Sequence, residues 1–302
     1  MSVLRGVIAP NLTPFEDDLT IAEGLYLDHA EWLLAEGCVG LAPFGTTGEA
    51  LSLGIEERMA TLEAMVARGI DPARLIPGTG LTNLPDTVRL TRHAVDQGCA
   101  GAMILPPFYY KGVPEDGLYD YFGWLIEAVD RPALKIYLYH IPQVAGVGIP
   151  PAVVRRLHAA FPETIVGIKD SSGDWENTKR LLAIENFTVY PSQETTLVEG
   201  HALGAAGCIT ATANLNPAAI ARLIGTIEAG SPDAGLNEEV SSFRKLIAAA
   251  GHIPAQKALL ARWTGDARWA RTRPPQLPMA AAQAARLADD VAALPGYRRP
   301  AA

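Results

Sequence analysis

Thr164-Ile165-Val166-Gly167-Ile168-Lys169-Asp170-Ser171-Ser172-Gly173-Asp174 sets a lysine at the end of an apolar, β-branched run. Such a run reads as a buried strand. A protonated lysine is a poor nucleophile, and burial at the end of a core strand disfavours the charged form and frees amine for Schiff-base chemistry. A purely structural lysine, paired with Asp170 or Asp174, is the competing reading. Behind this strand comes a helical pattern around Trp175 to Ala183, and the same strand and helix unit recurs along the chain.

Working outward in both directions, eight such units can be counted. Strands are expected near Val3 to Ala9, Val39 to Phe44, Arg74 to Pro77, Ala100 to Leu105, Leu134 to Tyr139, Thr164 to Ile168, Phe187 to Tyr190 and Cys208 to Thr210. Each is followed by apolar residues at helical spacing, as in Leu84, Val88, Thr91 and Val95. Eight alternations with mostly continuous apolar strands predict a parallel sheet covered by helices, closed as a (β/α)8 TIM barrel. No GxGxxG follows the first strand, which weakens an open dinucleotide-binding sheet. From about Leu236 only helices are expected: Glu239 to Ala250, Pro254 to Trp263 and Ala280 to Leu294, with a Pro-rich break at Arg273 to Pro278. The division is therefore a barrel over residues 1–230 and a C-terminal helical extension over 231–302 packed on it, with Gly296 to Ala302 frayed at the end.

Composition bounds the function. The 302 residues are 49% hydrophobic and 19% charged, with a formal charge of −8. No basic run points to nucleic acid or an anionic membrane. Nothing reaches the length of a membrane span, and the N-terminus has no basic region followed by a long apolar core. Cys38, Cys99 and Cys208 lie far apart without CxxC spacing, so neither a disulfide framework nor a cysteine metal site is indicated, and a reducing cytoplasm fits. The six histidines form no HxH or HExxH pattern, so no metal is expected.

In a barrel of this kind the working residues lie at the C-terminal ends of the strands. That filter selects Gly45-Thr46-Thr47-Gly48-Glu49, Phe108-Tyr109-Tyr110, Tyr139, Lys169, Ser192 and the segment Ile209 to Thr212. The Gly45 to Glu49 loop offers backbone N–H groups and two hydroxyls suited to a small carboxylate, although it also reads as a plain turn before a helix. It lacks the spacing of a phosphate-binding loop. A phenol at Tyr139 could relay protons to a lysine adduct, or could simply fill the rim. His140 should face away from Tyr139, and Asp170 away from Lys169 and into the following loop.

These motifs resemble the dihydrodipicolinate synthase and N-acetylneuraminate lyase superfamily of pyruvate-dependent class I aldolases. The likeness runs in order through Gly45-Thr46-Thr47-Gly48-Glu49, Pro107-Phe108-Tyr109-Tyr110, Tyr139-His140-Ile141-Pro142, Gly167 to Asp174 and Gly204-Ala205-Ala206-Gly207. It implies that Lys169 forms a Schiff base with pyruvate or a longer 2-oxo acid, without metal or other cofactor. Thr46, Thr47 and Gly48 would hold the pyruvyl carboxylate, and Thr46 would also link Tyr139 to a tyrosine relay. Tyr139 would serve as acid and base. Tyr110 would reach into a neighbouring subunit's site, implying a homo-oligomer, dimer or tetramer. Ile209 would line the pyruvate pocket.

Three departures bear on substrate. Val144 stands where the biosynthetic synthases carry an arginine that binds the carboxylate of aspartate semialdehyde, and a valine makes no bidentate contact. His140 replaces the usual asparagine, and Ser192 a glycine that faces pyruvate. The segment Leu53 to Arg58 lacks the histidines of lysine-inhibited synthases, so no such feedback site is expected. The resulting reading is a lyase on a 2-oxo acid, pyruvate-releasing or pyruvate-condensing with an aldehyde, or a dehydratase. A true 4-hydroxy-tetrahydrodipicolinate synthase with an altered carboxylate clamp, and a non-catalytic 2-oxo-acid-binding barrel, are the alternatives.

Overall fold

The computed structural model describes residues 3–297; part of the expected frayed end, 298–302, lies outside them. Among the described residues there are seven strands: β1 Gly6–Ala9, β2 Gly40–Leu41, β3 Ala102–Ile104, β4 Ile136–His140, β5 Ile165–Asp170, β6 Thr188–Pro191 and β7 Gly207–Ile209. They pair in parallel as β2-β1-β7 and β3-β4-β5-β6. The segment 75–79 joins the two sheets: Ile76 N donates to Leu41 O, Thr79 N to Met103 O and Met103 N to Pro77 O. Ala206 N donating to Val189 O joins them on the other side. The chain is a (β/α)8 barrel whose third staves are only two isolated bridges, Leu41 with Leu75 and Gly78 with Met103. Pro77 supplies no ladder N–H, which is why the expected strand at Arg74 to Pro77 is reduced to bridges.

Strand alternation sorts the core. Ile8, Met103, Tyr137, Tyr139, Tyr190 and Ile209 pack inside the barrel, while Leu138, Ile168 and Val189 face the outer helices. Tyr137 and Tyr190 lie with ring centroids 5.9 Å apart, and Tyr190 Oη donates to Leu4 O at 2.5 Å. Gly167 makes room for this layer: a Cβ there would come within 2.9 Å of the Tyr137 ring and 2.6 Å of Thr188 O. The glycine inside the β-branched run is thus required by close packing.

After the last barrel helix, Pro217–Glu228, three more follow: Ala234–Ala249, His252–Thr264 and Ala281–Ala292. Their apolar faces bury Phe243, Ile247, Leu259 and Leu287 together with Leu12 and Leu215. Leu12 and Leu215 belong to the segments leaving β1 and β7, so the C-terminal helices pack at the end of the barrel where the strands exit. Each fully buried side chain of this size contributes about 1.5–3 kcal/mol.

His29 also lies at this junction, with Trp269 against one side of its ring, centroids 4.9 Å apart, and Nε2 3.1 Å from Asn214 Oδ1. Asn214 Nδ2 donates to Pro10 O and Ala211 O, so Nε2 of the neutral ring donates to Oδ1. Burial lowers this imidazole from its ordinary 6.5 to about 4. Below 6.5 the unfolded chain takes up a proton that the native ring refuses, and the difference saturates near 4. This group should therefore cost stability progressively as pH falls through that window, by roughly 3 kcal/mol in total. Urea unfolding at pH 7 and pH 4.5 should show a smaller drop for His29→Gln, which keeps a donor for Asn214, than for the parent chain.

Candidate active site

Lys169 and Tyr139 are register partners on adjacent strands β5 and β4. Both side chains are nearly buried, at 4% and 3% exposure. Lys169 Nζ stands 4.4 Å from the centre of the Tyr139 ring, and Tyr139 Oη is 3.2 Å from Thr46 Oγ1. An amine, a phenol and a hydroxyl therefore meet at one barrel mouth. Asp170 points the other way: its Oδ1 accepts from Ser172 N, and its Oδ2 from Asn177 Nδ2 and Thr178 Oγ1. It anchors the loop and the helix Trp175–Leu182, as strand alternation requires.

The loop carrying Thr46 is bracketed by two non-glycine residues in the left-handed region, Phe44 at φ 58° and Glu49 at φ 55°. Such conformations cost of order 1–3 kcal/mol each and persist where the surroundings over-determine them. Here Gly48 N donates to Gly45 O, Glu49 N to Thr46 O and Ala50 N to Gly45 O. Of the N–H groups that the sequence offered for a carboxylate, those of Gly48 and Glu49 are thus turned inward to shape the loop. Thr13 Oγ1 donates to Gly48 O at 2.7 Å, and a Cβ at Gly48 would meet Asn11 O at 2.5 Å. Gly48 lets the loop sit directly on the segment leaving β1.

Glu49 is 5% exposed, and its carboxylate forms an ion pair with the ammonium of the fully buried Lys257. Lys257 also donates to Thr13 O at 2.7 Å and lies 4.4 Å over the Phe15 ring. Arg273 N donates to the second Glu49 oxygen at 3.1 Å. Burial pulls Lys257 below the ordinary lysine value, while the charge and hydrogen bond of Glu49 oppose that shift. This clamp from the C-terminal helices was not anticipated from the sequence. One signal was available: helical spacing puts Lys257 on the same face as Ile253 and Leu260.

The other candidate residues divide. Thr47 is buried beside Thr46, and Ile209 is fully buried inside the barrel. Val144 lies on the short helix Pro142–Ala145, 63% exposed, and lines the same cavity as Thr46 and Tyr139. Ser192, like Lys169, Thr47 and Ile209, is not on that cavity. Its N–H is held by Asp170 O, and it lines a separate crevice with Gly173, Trp175 and Gln193. Tyr110 is 72% exposed, edge-on to Tyr109 at 5.4 Å, and projects from the rim. His140 is buried, with Nδ1 accepting from Ile149 N at 2.9 Å, and burial lowers its imidazole against the pull of Asp170. Among the described residues no group of three or more His, Cys, Asp or Glu side chains is placed to hold a metal ion.

The dihydrodipicolinate synthetase family model matches residues 3–294. The chain belongs to that family. It is 36% identical over 290 residues to an uncharacterized DapA-like lyase of Chloroflexus aurantiacus, covering 95% of this chain and 96% of that one. Among solved structures it is similar to dihydrodipicolinate synthase from Agrobacterium tumefaciens, with a TM-score of 0.87, 30% identity and coverage of 96% and 99%. It is equally similar in fold to YagE, a dihydrodipicolinic acid synthase family protein of E. coli K12 in complex with pyruvate, with a TM-score of 0.87, 25% identity and coverage of 97% and 99%. This member of the family is a lyase, and the expected barrel with its C-terminal helices is the architecture these structures share.

Proposed function

We propose that this lyase works through a Schiff base between Lys169 and the keto carbon of a 2-oxo acid, with pyruvate as the condensing or released unit. The observation that carries this reading is the alignment of Lys169 Nζ, Tyr139 and Thr46 at one mouth. A likeness to a family member with pyruvate bound supports it. The lysine amine adds to the keto carbon, water leaves, and the iminium acts as the electron sink for breaking or making the bond at the neighbouring carbon. Tyr139 Oη, held by Thr46 Oγ1, gives and takes the protons at the carbinolamine and the aldehyde oxygen. The iminium nitrogen supplies the electrophile, so the proposed route needs no metal or further cofactor.

Incubation with pyruvate and borohydride, followed by intact-mass and peptide mass spectrometry, should show a reduced pyruvyl adduct on Lys169. Absence of any adduct at saturating pyruvate would sink the reading. Tyr139→Phe keeps the ring beside Lys169 and removes only the hydroxyl. It should lower kcat by about 10²–10⁴-fold while trapping of pyruvate, slowed, still ends on Lys169.

An assembly of two or more copies forms part of the same proposal. Tyr109, Tyr110 and Leu51 are large exposed apolar or aromatic side chains beside the mouth, a composition suited to an interface core. Tyr110 then contributes to the neighbouring copy's site. A cytoplasmic setting fits the three free, buried cysteines; among the described residues no helix is long and apolar enough to cross a membrane.

A further inference from the structure

Beyond Tyr139 and Thr46 the mouth opens into a cavity of about 270 Å³ whose walls are chiefly apolar. Phe44, Leu105, Phe108, Ile141, Val144 and Ile253 supply much of the apolar lining. No lysine, arginine or histidine lines the cavity, Lys169 included, whose amine stands 4.4 Å from the centre of the lining Tyr139 ring. The lining carboxylate, Glu49, is taken by Lys257 and Arg273 N. Lys111 at the rim turns its ammonium back onto the carbonyls of Phe108 and Ala145. The other polar side chains on the lining are Thr46 and Tyr139, already assigned to the chemistry, and Ser52 and Gln276.

We propose that the half of the substrate beyond the pyruvyl unit is an aldehyde with an apolar substituent, aromatic or branched aliphatic, and not a polyol or a second carboxylate. This rests on the Schiff-base reading and names the substrate class of that site. A cavity of about 150 Å³ lined by leucine, isoleucine and phenylalanine already accommodates benzene, so the volume here suits a ring. A polyol entering these walls would find only Ser52 and Gln276 for the several hydroxyls it desolvates, and a carboxylate would be buried without a cation; both are penalised.

In the condensing direction, the enamine carbon derived from the pyruvate methyl attacks the aldehyde carbon. The new C–C bond takes the enamine pair, and the nitrogen lone pair becomes the C=N bond of the iminium. The aldehyde π pair moves to its oxygen, which takes the Tyr139 proton. That proton is the one Tyr139 took earlier from the methyl. Water then adds to the iminium carbon and returns a proton to the phenolate, the C–N bond breaks, and a 4-hydroxy-2-oxo acid leaves with Lys169 free. The retro-aldol direction reverses these transfers.

The test pairs pyruvate with benzaldehyde, 3-methylbutanal, D-glyceraldehyde and aspartate semialdehyde on the full chain, reading kcat/KM for each. The apolar aldehydes should exceed the other two by on the order of 10–100-fold. Val144→Arg, at an exposed wall position, should shift the ratio toward aspartate semialdehyde by at least about tenfold. Borohydride trapping with pyruvate alone is run in parallel. Trapping on Lys169 with no preference for the apolar aldehydes, or with turnover of none of them, overturns this inference and leaves the Schiff-base reading standing. No trapping overturns that reading itself.

Discussion

A Lys169→Ala variant should fold, fail to trap pyruvate with borohydride, and lose turnover by on the order of 10⁴-fold or more, beyond the loss at Tyr139, because the covalent route itself is gone. Folding should survive because β5 is held on both sides by strand pairing, Tyr139 with Lys169 and Lys169 with Tyr190, through backbone atoms that the substitution leaves in place. The side chain removed is 4% exposed, and its loss deletes a buried amine while the inward-facing aromatic layer of Tyr137 and Tyr190 stays intact. Circular dichroism and urea unfolding check the fold, and mass spectrometry checks the adduct. The informative adverse result is trapping that persists in the variant. It would place the reactive amine elsewhere, and Lys257, fully buried and pulled below the ordinary lysine value by burial, would be the group to map first.

Sequence pattern carried the barrel because its signal is local. Continuous apolar strands, helical spacing between them, and period-two alternation are properties of neighbours along the chain. The strand-end filter put Lys169 and Tyr139 at one rim and alternation turned Asp170 away from Lys169, as the geometry has them. What escaped depends on contacts distant in sequence or on backbone detail. The third stave is reduced to bridges where Pro77 lacks a donor. The N–H groups of the Gly45 to Glu49 loop look free in the sequence, but the left-handed turn at Glu49 folds those of Gly48 and Glu49 back on the loop's own carbonyls. Ser192 follows a strand end as the filter demanded, yet lies at a different crevice from Val144. The C-terminal helices looked like a bystander, and the pairing of Glu49 with a residue more than two hundred positions later has no local signature.

That pairing predicts the largest stability effect in the molecule. Lys257→Met keeps the stem of the side chain and removes the charge, so Glu49 stays buried at 5% exposure with its bond to Arg273 N and the more distant pull of the Arg273 guanidinium, itself paired with Glu57. Breaking one side of a buried ion pair costs about 3–5 kcal/mol because the remaining charge is uncompensated. The loss should appear as a lower urea midpoint with an unchanged slope. It should reach the chemistry as well. Glu49 ends the loop that holds Thr46 Oγ1 against Tyr139 Oη, and an ångström of misplacement at a reacting geometry can cost about a hundredfold in rate. The double variant Glu49→Gln with Lys257→Met discriminates between a clamp and a merely well-packed lysine. With neither charge left to strand, it should regain most of the lost stability, since replacing a whole buried pair is often near neutral, and kcat should recover with it as the loop returns to place. A single Lys257→Met cost below about 1 kcal/mol would mean that the backbone bonds of the loop hold it unaided. Stability restored by the double variant without any recovery of kcat would mean instead that the C-terminal helices set the reactivity of this mouth through the charge of Glu49 itself.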